Sequence, residues 1–307
     1  MIEKHRSQPK GGYGSKRDVL LFLLPGMGAY AFIMLYPNLA SIGFSLTKWH
    51  GYGSPEFIGL DNFYRLIMED PAFSTAMLMV LRSLFMALFV MLPVAFILAF
   101  LLSRKVRGRK VFRFFYFLPM VVPAAVLGVM WKHMFTYNGV INYALGALGL
   151  DILAIPWLST LGIVQWVVLV PDFWFGVCFY IIIFAAGLEG IPQRLYDAAA
   201  IDGANTWHEL IHITLPSMRA VYVTGMILAL PGALSTFIYP YALTQGGPIR
   251  STYTLALWVF NNIYATPGAS KPPDIGYGSA IALLHAFLGI AIGMVIWRFG
   301  RRNVVVG

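Results

Sequence analysis

Six apolar stretches, at about 19–46, 74–103, 114–136, 159–188, 218–243 and 278–299, are each long enough to cross a membrane. A bilayer's hydrocarbon core is about 30 Å thick, and a helix needs roughly 20 residues to span it. No water there can satisfy a peptide group, so each stretch must close its hydrogen bonds within itself. Charged residues inside the stretches are few, chiefly Arg82, Lys132 and Asp172. Pro25, Pro37, Pro93, Pro119, Pro123, Pro171 and Pro231 also fall inside, where neighbouring helices can re-satisfy the backbone groups they free. The expected fold is an all-α polytopic membrane protein with six transmembrane helices. Composition agrees, because charged residues make up 11% of the chain against 59% hydrophobic, whereas a soluble domain carries about 25% charged residues.

Lysine and arginine orient the spans. One side holds Lys4, Arg6, Lys10, Lys16 and Arg17 in the tail to residue 18. It also holds Arg104, Lys105, Arg107, Arg109, Lys110 and Arg113, then Arg194 and Arg219, then Arg298, Arg301 and Arg302. The other side has Lys48, Arg65, Lys132, Arg250 and Lys271. The positive-inside rule then places both termini in the cytoplasm. The net charge of +9 is thereby read as membrane orientation, with lipid and not nucleic acid as the partner. The "RKVRGRK" run at 104–110 reads as a topology anchor on anionic headgroups, and Trp49, Trp157 and Trp297 as interfacial anchors. The first stretch is too long for a signal peptide and reads as a retained span. A single cysteine, Cys178, forms no internal disulfide. The organisation is a tail at 1–18, a first helix and outward loop at 19–74, a transmembrane domain at 75–298 and a tail at 299–307.

The connection between the fourth and fifth spans, about 189–217, faces the cytoplasm in this topology. Pro192 suits a first helical turn and "QRLYDAAAI" is a good helix former. Asp202-Gly203 reads as a turn, since glycine takes positive φ without a Cβ penalty. Asn205 or Thr206 can cap a second short helix, and Pro216 stops or restarts the chain before the fifth span. Two short helices at an angle result, with alanines that let a partner surface approach closely. The second contains His208-Glu209-Leu210-Ile211-His212, which fits H-E-x-x-H. That pattern puts two histidines one turn apart to share zinc, with Glu209 placed to activate water. A catalytic zinc needs a third protein ligand. Downstream of His212 the sequence has no Glu, its one Asp, Asp274, is expected across the membrane, and His285 falls within the sixth span, which leaves Glu189 upstream as the open candidate.

"YDAAAIDGA" followed by "ITLP" at 213–216 resembles the EAA loop of permease subunits in binding-protein-dependent ABC importers, with Asp197 where that family usually has Glu. The match falls on Tyr196, Asp197, Ala198, Ala199, Asp202, Gly203, Ala204, Leu215 and Pro216. The stretches "FYFLPMVVPAAVLGVMWKHMF", "GVINYALGALGL", "LTQGGP" and "YGSAIALLHAFLGI" resemble the carbohydrate branch, with its maltose- and glycerol-phosphate-type permeases. The resemblance implies a type I importer permease fold in a bacterial or archaeal inner membrane, and import of a sugar or oligosaccharide by alternating access. It implies that the loop couples the spans to two copies of a cytoplasmic ATPase, with an extracytoplasmic solute-binding protein delivering substrate. The sequence holds no G-x-x-x-x-G-K-[ST], so ATP and Mg belong to the ATPase, and this chain is a transport subunit with no cofactor or metal of its own. Six spans make a thin pore wall, so a second permease subunit, a different chain, is expected. A permease for a non-sugar solute and a membrane zinc protease using His208, Glu209 and His212 are the alternatives.

An ionisable residue inside a span marks a functional candidate. Asp172 lies near the middle of the fourth, with Gln165 seven residues earlier on the same helical face and Phe173 and Trp174 beside it. Carboxylate, amide and aromatic rings together suit a sugar pathway. The other reading is a structural Asp172 paired with Arg82 or Lys132. Tyr239 and Tyr241, at the outer end of the fifth span, are further pathway candidates or interfacial belt tyrosines.

Overall fold

A computed structural model of the chain describes residues 16–104, 109–264 and 272–301. The tail to residue 15, Lys105, Arg107, Lys271 and Arg302 of the charge asymmetry lie outside the described residues. Five helices are long and apolar enough to cross a membrane. They are α1 (Arg17–Ser45), α2 (Ala72–Ser103), α5 (Val164–Glu189), α8 (Arg219–Thr244) and α10 (Ile275–Arg301). Between them stand α3 (Arg109–Val121), α4 (Ala124–Phe135), α6 (Gln193–Ile201), α7 (Thr206–Glu209) and α9 (Leu255–Ile263).

The third expected span is therefore not one continuous helix. It is divided into α3 and α4, which meet at Pro123 with φ −56° and ψ 135°. Proline has no N–H to donate, and its ring pushes the preceding residue out of the helical region, so the ladder stops at Val121 and restarts after the ring.

Proline also explains the irregular turns in the long helices. The π-helical segments Ala31–Leu35, Met86–Met91 and Leu210–Thr214 each end two residues before a proline, namely Pro37, Pro93 and Pro216. A proline ring excludes the carbonyl four residues back from its normal bond, and widening the preceding turn to i→i+5 bonding relieves the clash. Two helices depart from regular α-helical bonding near a proline. α5 has a turn at Val168–Leu169 just before Pro171, and α8 unwinds at Ser235–Phe237, one turn beyond Pro231.

The buried core is shared by α2, α5 and α8. Phe96, Phe100, Ile181, Phe184, Leu188 and Met218 pack together near one end. The helices α2 and α5 approach so closely that a Cβ at Gly176 would collide with the Met91 sulfur. A second cluster joins α2, α9 and α10 through Ala76, Trp258, Tyr277 and Ile281. Near the start of α2 the Tyr277 hydroxyl donates to Asp70 at 2.9 Å, and Arg65 pairs with Asp274 at 2.9 Å. By contrast α1 has no buried residue in its apolar window and meets the rest of the chain through Tyr36–Ser45 against α10. Phe22, Phe32 and Phe89 are broadly exposed. Surfaces this apolar are stable in hydrocarbon rather than water.

Candidate functional site

The connection from α5 to α8 builds an exposed two-helix corner. α6 starts immediately after Pro192, whose fixed φ of −60° suits helix entry. It ends in a Schellman cap: the Ala204 N–H donates to the Ala199 carbonyl at 2.9 Å and the Gly203 N–H to the Ala200 carbonyl at 3.2 Å. Gly203 sits at φ +76°, the left-handed conformation such a cap requires, and its missing Cβ would meet nothing within 4 Å. Asn205 then caps α7, its side chain accepting from the His208 N–H at 2.9 Å.

The corner is held by a few side-chain bonds. The Tyr196 hydroxyl lies 2.9 Å from Thr214 Oγ1, and Thr214 donates to the Glu209 carbonyl at 3.1 Å. Gln193 donates to the Asp197 carboxylate at 3.2 Å. Neither α6 nor α7 has a buried residue. Leu195, Ala198, Ala199, Asp202, Gly203, Ala204, His208, His212 and Ile213 line one open groove. At the outside of the corner Ile201 is 87% and Trp207 65% exposed, so apolar surface is presented where water alone would disfavour it. Leu215 is exposed, and Pro216 follows it at the restart into α8.

The H-E-x-x-H segment is occupied with structural bonds. The Glu209 carboxylate accepts from Arg104 Nη2, and Thr206 Oγ1 accepts from Arg104 Nη1 at 3.3 Å. The His212 Nδ1 lies 3.1 Å from the His208 carbonyl, and the two imidazoles stack 5.9 Å apart. No group of three or more metal-ligating side chains occurs among the described residues.

Asp172 lies elsewhere, in a cavity of about 270 Å³ between α2, α5 and α8. Ser83 and Met91 from α2, Phe173 and Phe179 from α5, and Gly232 and Thr236 from α8 share its wall. Both irregular segments border this space, since Leu169 of the α5 turn and Thr236 of the unwound α8 segment line it. Asp172 Oδ2 is buried without a hydrogen-bond partner. No ion pair among the described residues joins it to Arg82 or Lys132, and Arg82 stands instead 5.9 Å from the Trp166 ring centroid.

The structure brings only part of the proposed pathway together. Phe173 shares the cavity with Asp172. Gln165 is buried on the far side of the Val168–Leu169 turn, outside the cavity wall, with its Oε1 unpartnered. The seven-residue spacing assumes a regular α-helix, and here the Leu169 N–H bonds to the Trp166 carbonyl, a tighter turn between the two residues. Trp174 packs edge-on against Trp131 at 5.7 Å. Tyr239 is buried in the cluster around Leu127 and Val164, and Tyr241 stacks on Phe237 at 5.4 Å. Thr236 and Ser83 escaped the sequence reading, and Arg104, read there only as part of a topology anchor, pairs with Glu209. A threonine or serine inside an apolar stretch carries no local signal, and nothing in a sequence pairs Arg104 with Glu209.

Residues 91–302 match the model of a family described as the binding-protein-dependent transport system inner membrane component. The chain is 31% identical to the trehalose/maltose transport system permease protein MalF of Thermococcus litoralis, over 92% of each chain. It is also 31% identical to the diacetylchitobiose uptake system permease protein NgcF of Streptomyces coelicolor, over 92% of this chain and 82% of that one. Among solved structures, a bacterial ABC transporter involved in import of the acidic polysaccharide alginate has a chain that superposes with a TM-score of 0.79 at 22% identity. That match covers 95% of this chain and 98% of the other.

Proposed function

This chain belongs to the family of binding-protein-dependent transport system inner membrane components, and we propose that the solute it carries is a sugar or oligosaccharide. It is a permease subunit of an ABC importer, with the type I importer permease fold, in the inner membrane. The observation that carries the sugar assignment is similarity along nearly the whole chain to permeases of disaccharide uptake systems. In this reading the α3–α4 pair completes a sixth crossing bent at Pro123, and both termini are cytoplasmic.

The exposed α6–α7 corner supplies the surface for a cytoplasmic ATPase, present in two copies, that holds ATP and Mg. Ile201 and Trp207 offer apolar contact, while Ala198, Ala199 and Gly203 allow close approach. A second permease, a different chain, closes the pathway, and a solute-binding protein delivers substrate on the opposite side. Asp172 lines the pathway, where its unpartnered oxygen can accept hydrogen bonds from sugar hydroxyls and Phe173 supplies an apolar face. ATP-driven motion enters at the corner and alternately opens the cavity to each side.

The test is ATP hydrolysis by the assembled complex, with its binding protein loaded from a panel of neutral oligosaccharides, amino acids and peptides. Stimulation by oligosaccharides is expected. Stimulation confined to amino acids or peptides would reassign the solute.

A further inference from the structure

We propose that Arg104 is a positioning residue that clamps the second half of the corner to the end of α2, so that motion entering at the corner reaches that helix directly. The inference rests on the coupling role assigned to the corner above. Arg104 is held on both sides. Its guanidinium lies over the Phe100 ring, 4.7 Å from the centroid, and Phe100 is itself buried in the core shared with Leu188 of α5. Toward the corner, Nη2 donates to the Glu209 carboxylate and Nη1 to Thr206 Oγ1. Both partners belong to α7, 102 and 105 residues away in sequence.

The clamp matters because α7 has few other attachments. α6 and α7 bury no residue, and the first helix is tied to the second mainly through Tyr196 and Thr214. Covalently, the corner hangs from α5 at one end and α8 at the other, and Ile191 and Leu210 at its flanks pack on the apolar core that includes Phe100 of α2. Arg104 adds to that apolar packing a directional, polar tie from the end of α2 to α7 itself. The Glu209 side chain is 13% exposed and that of Arg104 34%, so solvent screens the pair only in part. A charge-assisted bond in such a setting is stronger than one between exposed side chains. Glu209, which the H-E-x-x-H pattern would make a general base, is in this account an anchor.

Hydrogen exchange on the purified full-length chain reads the clamp without the ATPase. Arg104→Gln and Glu209→Gln should each speed exchange across 206–217 by about tenfold, the scale of one charge-assisted hydrogen bond. The charge swap Arg104→Glu with Glu209→Arg should return it toward wild type. In the reconstituted complex the single variants should transport less solute per ATP hydrolysed, and the swap should recover part of that loss. Unchanged exchange in both single variants, or a swap no better than either, overturns the clamp. An exchange response that is intact while the wild-type complex moves no sugar would count against the transport assignment and not against the clamp.

Discussion

The Tyr196 hydroxyl lies 2.9 Å from Thr214 Oγ1 and joins the first helix of the corner to the residue just before Leu215 and Pro216. Thr214 is fully buried although the helices around it are exposed. This bond keeps α6 and the restart into α8 at a fixed separation. A neutral hydrogen bond contributes about 0.5–1.5 kcal/mol net, and removing one buried partner costs up to roughly 3 kcal/mol.

Tyr196→Phe should therefore leave the chain in the membrane and bound to its ATPase, but lower solute-stimulated hydrolysis several-fold. Thr214→Val should have the larger effect, because it also removes the bond to the Glu209 carbonyl. Paired ATPase measurements on the two variants check the ordering, and equal activity in both and in wild type would remove the bond from the account.

Gly203→Val meets no steric neighbour, so its effect isolates backbone strain. A β-branched residue held at φ +76° is strained by on the order of 1–3 kcal/mol. The Schellman cap should open and rotate α7 relative to α6. The expected outcome is an assembled complex with lost stimulation of hydrolysis, while Gly203→Asn, which tolerates the left-handed region, keeps most of it. Full stimulation in the valine variant would show that the corner angle does not matter.

Replacing both His208 and His212 with Gln should preserve most transport, since neither imidazole reaches beyond its own short helix apart from the open groove. Elemental analysis of the purified wild-type chain should find no stoichiometric zinc. One equivalent of zinc that disappears in the double variant would contradict this.

The corner was legible in the sequence because its determinants are local. Pro192, Asp202-Gly203 and Asn205 act on their own neighbours, and each sits where its chemistry places it. The spans were legible because length and apolarity suffice. The split at Pro123 was not, since proline is tolerated inside some membrane helices and breaks others, as Pro25 and Pro123 show in this chain. Gln165 and Asp172 do not share the cavity wall, and a tightened turn, in which the Leu169 N–H bonds to the Trp166 carbonyl, lies between them. The Arg104–Glu209 pair joins distant segments, and only tertiary packing brings them together.

Asp172 sits in a largely apolar cavity with one oxygen unpartnered, an arrangement that opposes stability. Asp172→Asn replaces a buried carboxyl group, whose ionised form is costly to hold in an apolar setting, with a neutral amide of the same shape. The variant complex should melt at the same temperature as wild type or higher, while sugar uptake falls about tenfold or more, an exchange of stability for function. A lower melting temperature with normal uptake would make Asp172 a structural residue.

The most direct measurement is ATP-dependent accumulation of a labelled oligosaccharide in proteoliposomes holding this chain, its partner permease, the ATPase and the loaded binding protein. The account predicts uptake against a gradient that requires ATP, is reduced by Asp172→Asn and is abolished by Gly203→Val. Uptake of a non-sugar solute alone, or uptake indifferent to both substitutions, would contradict it.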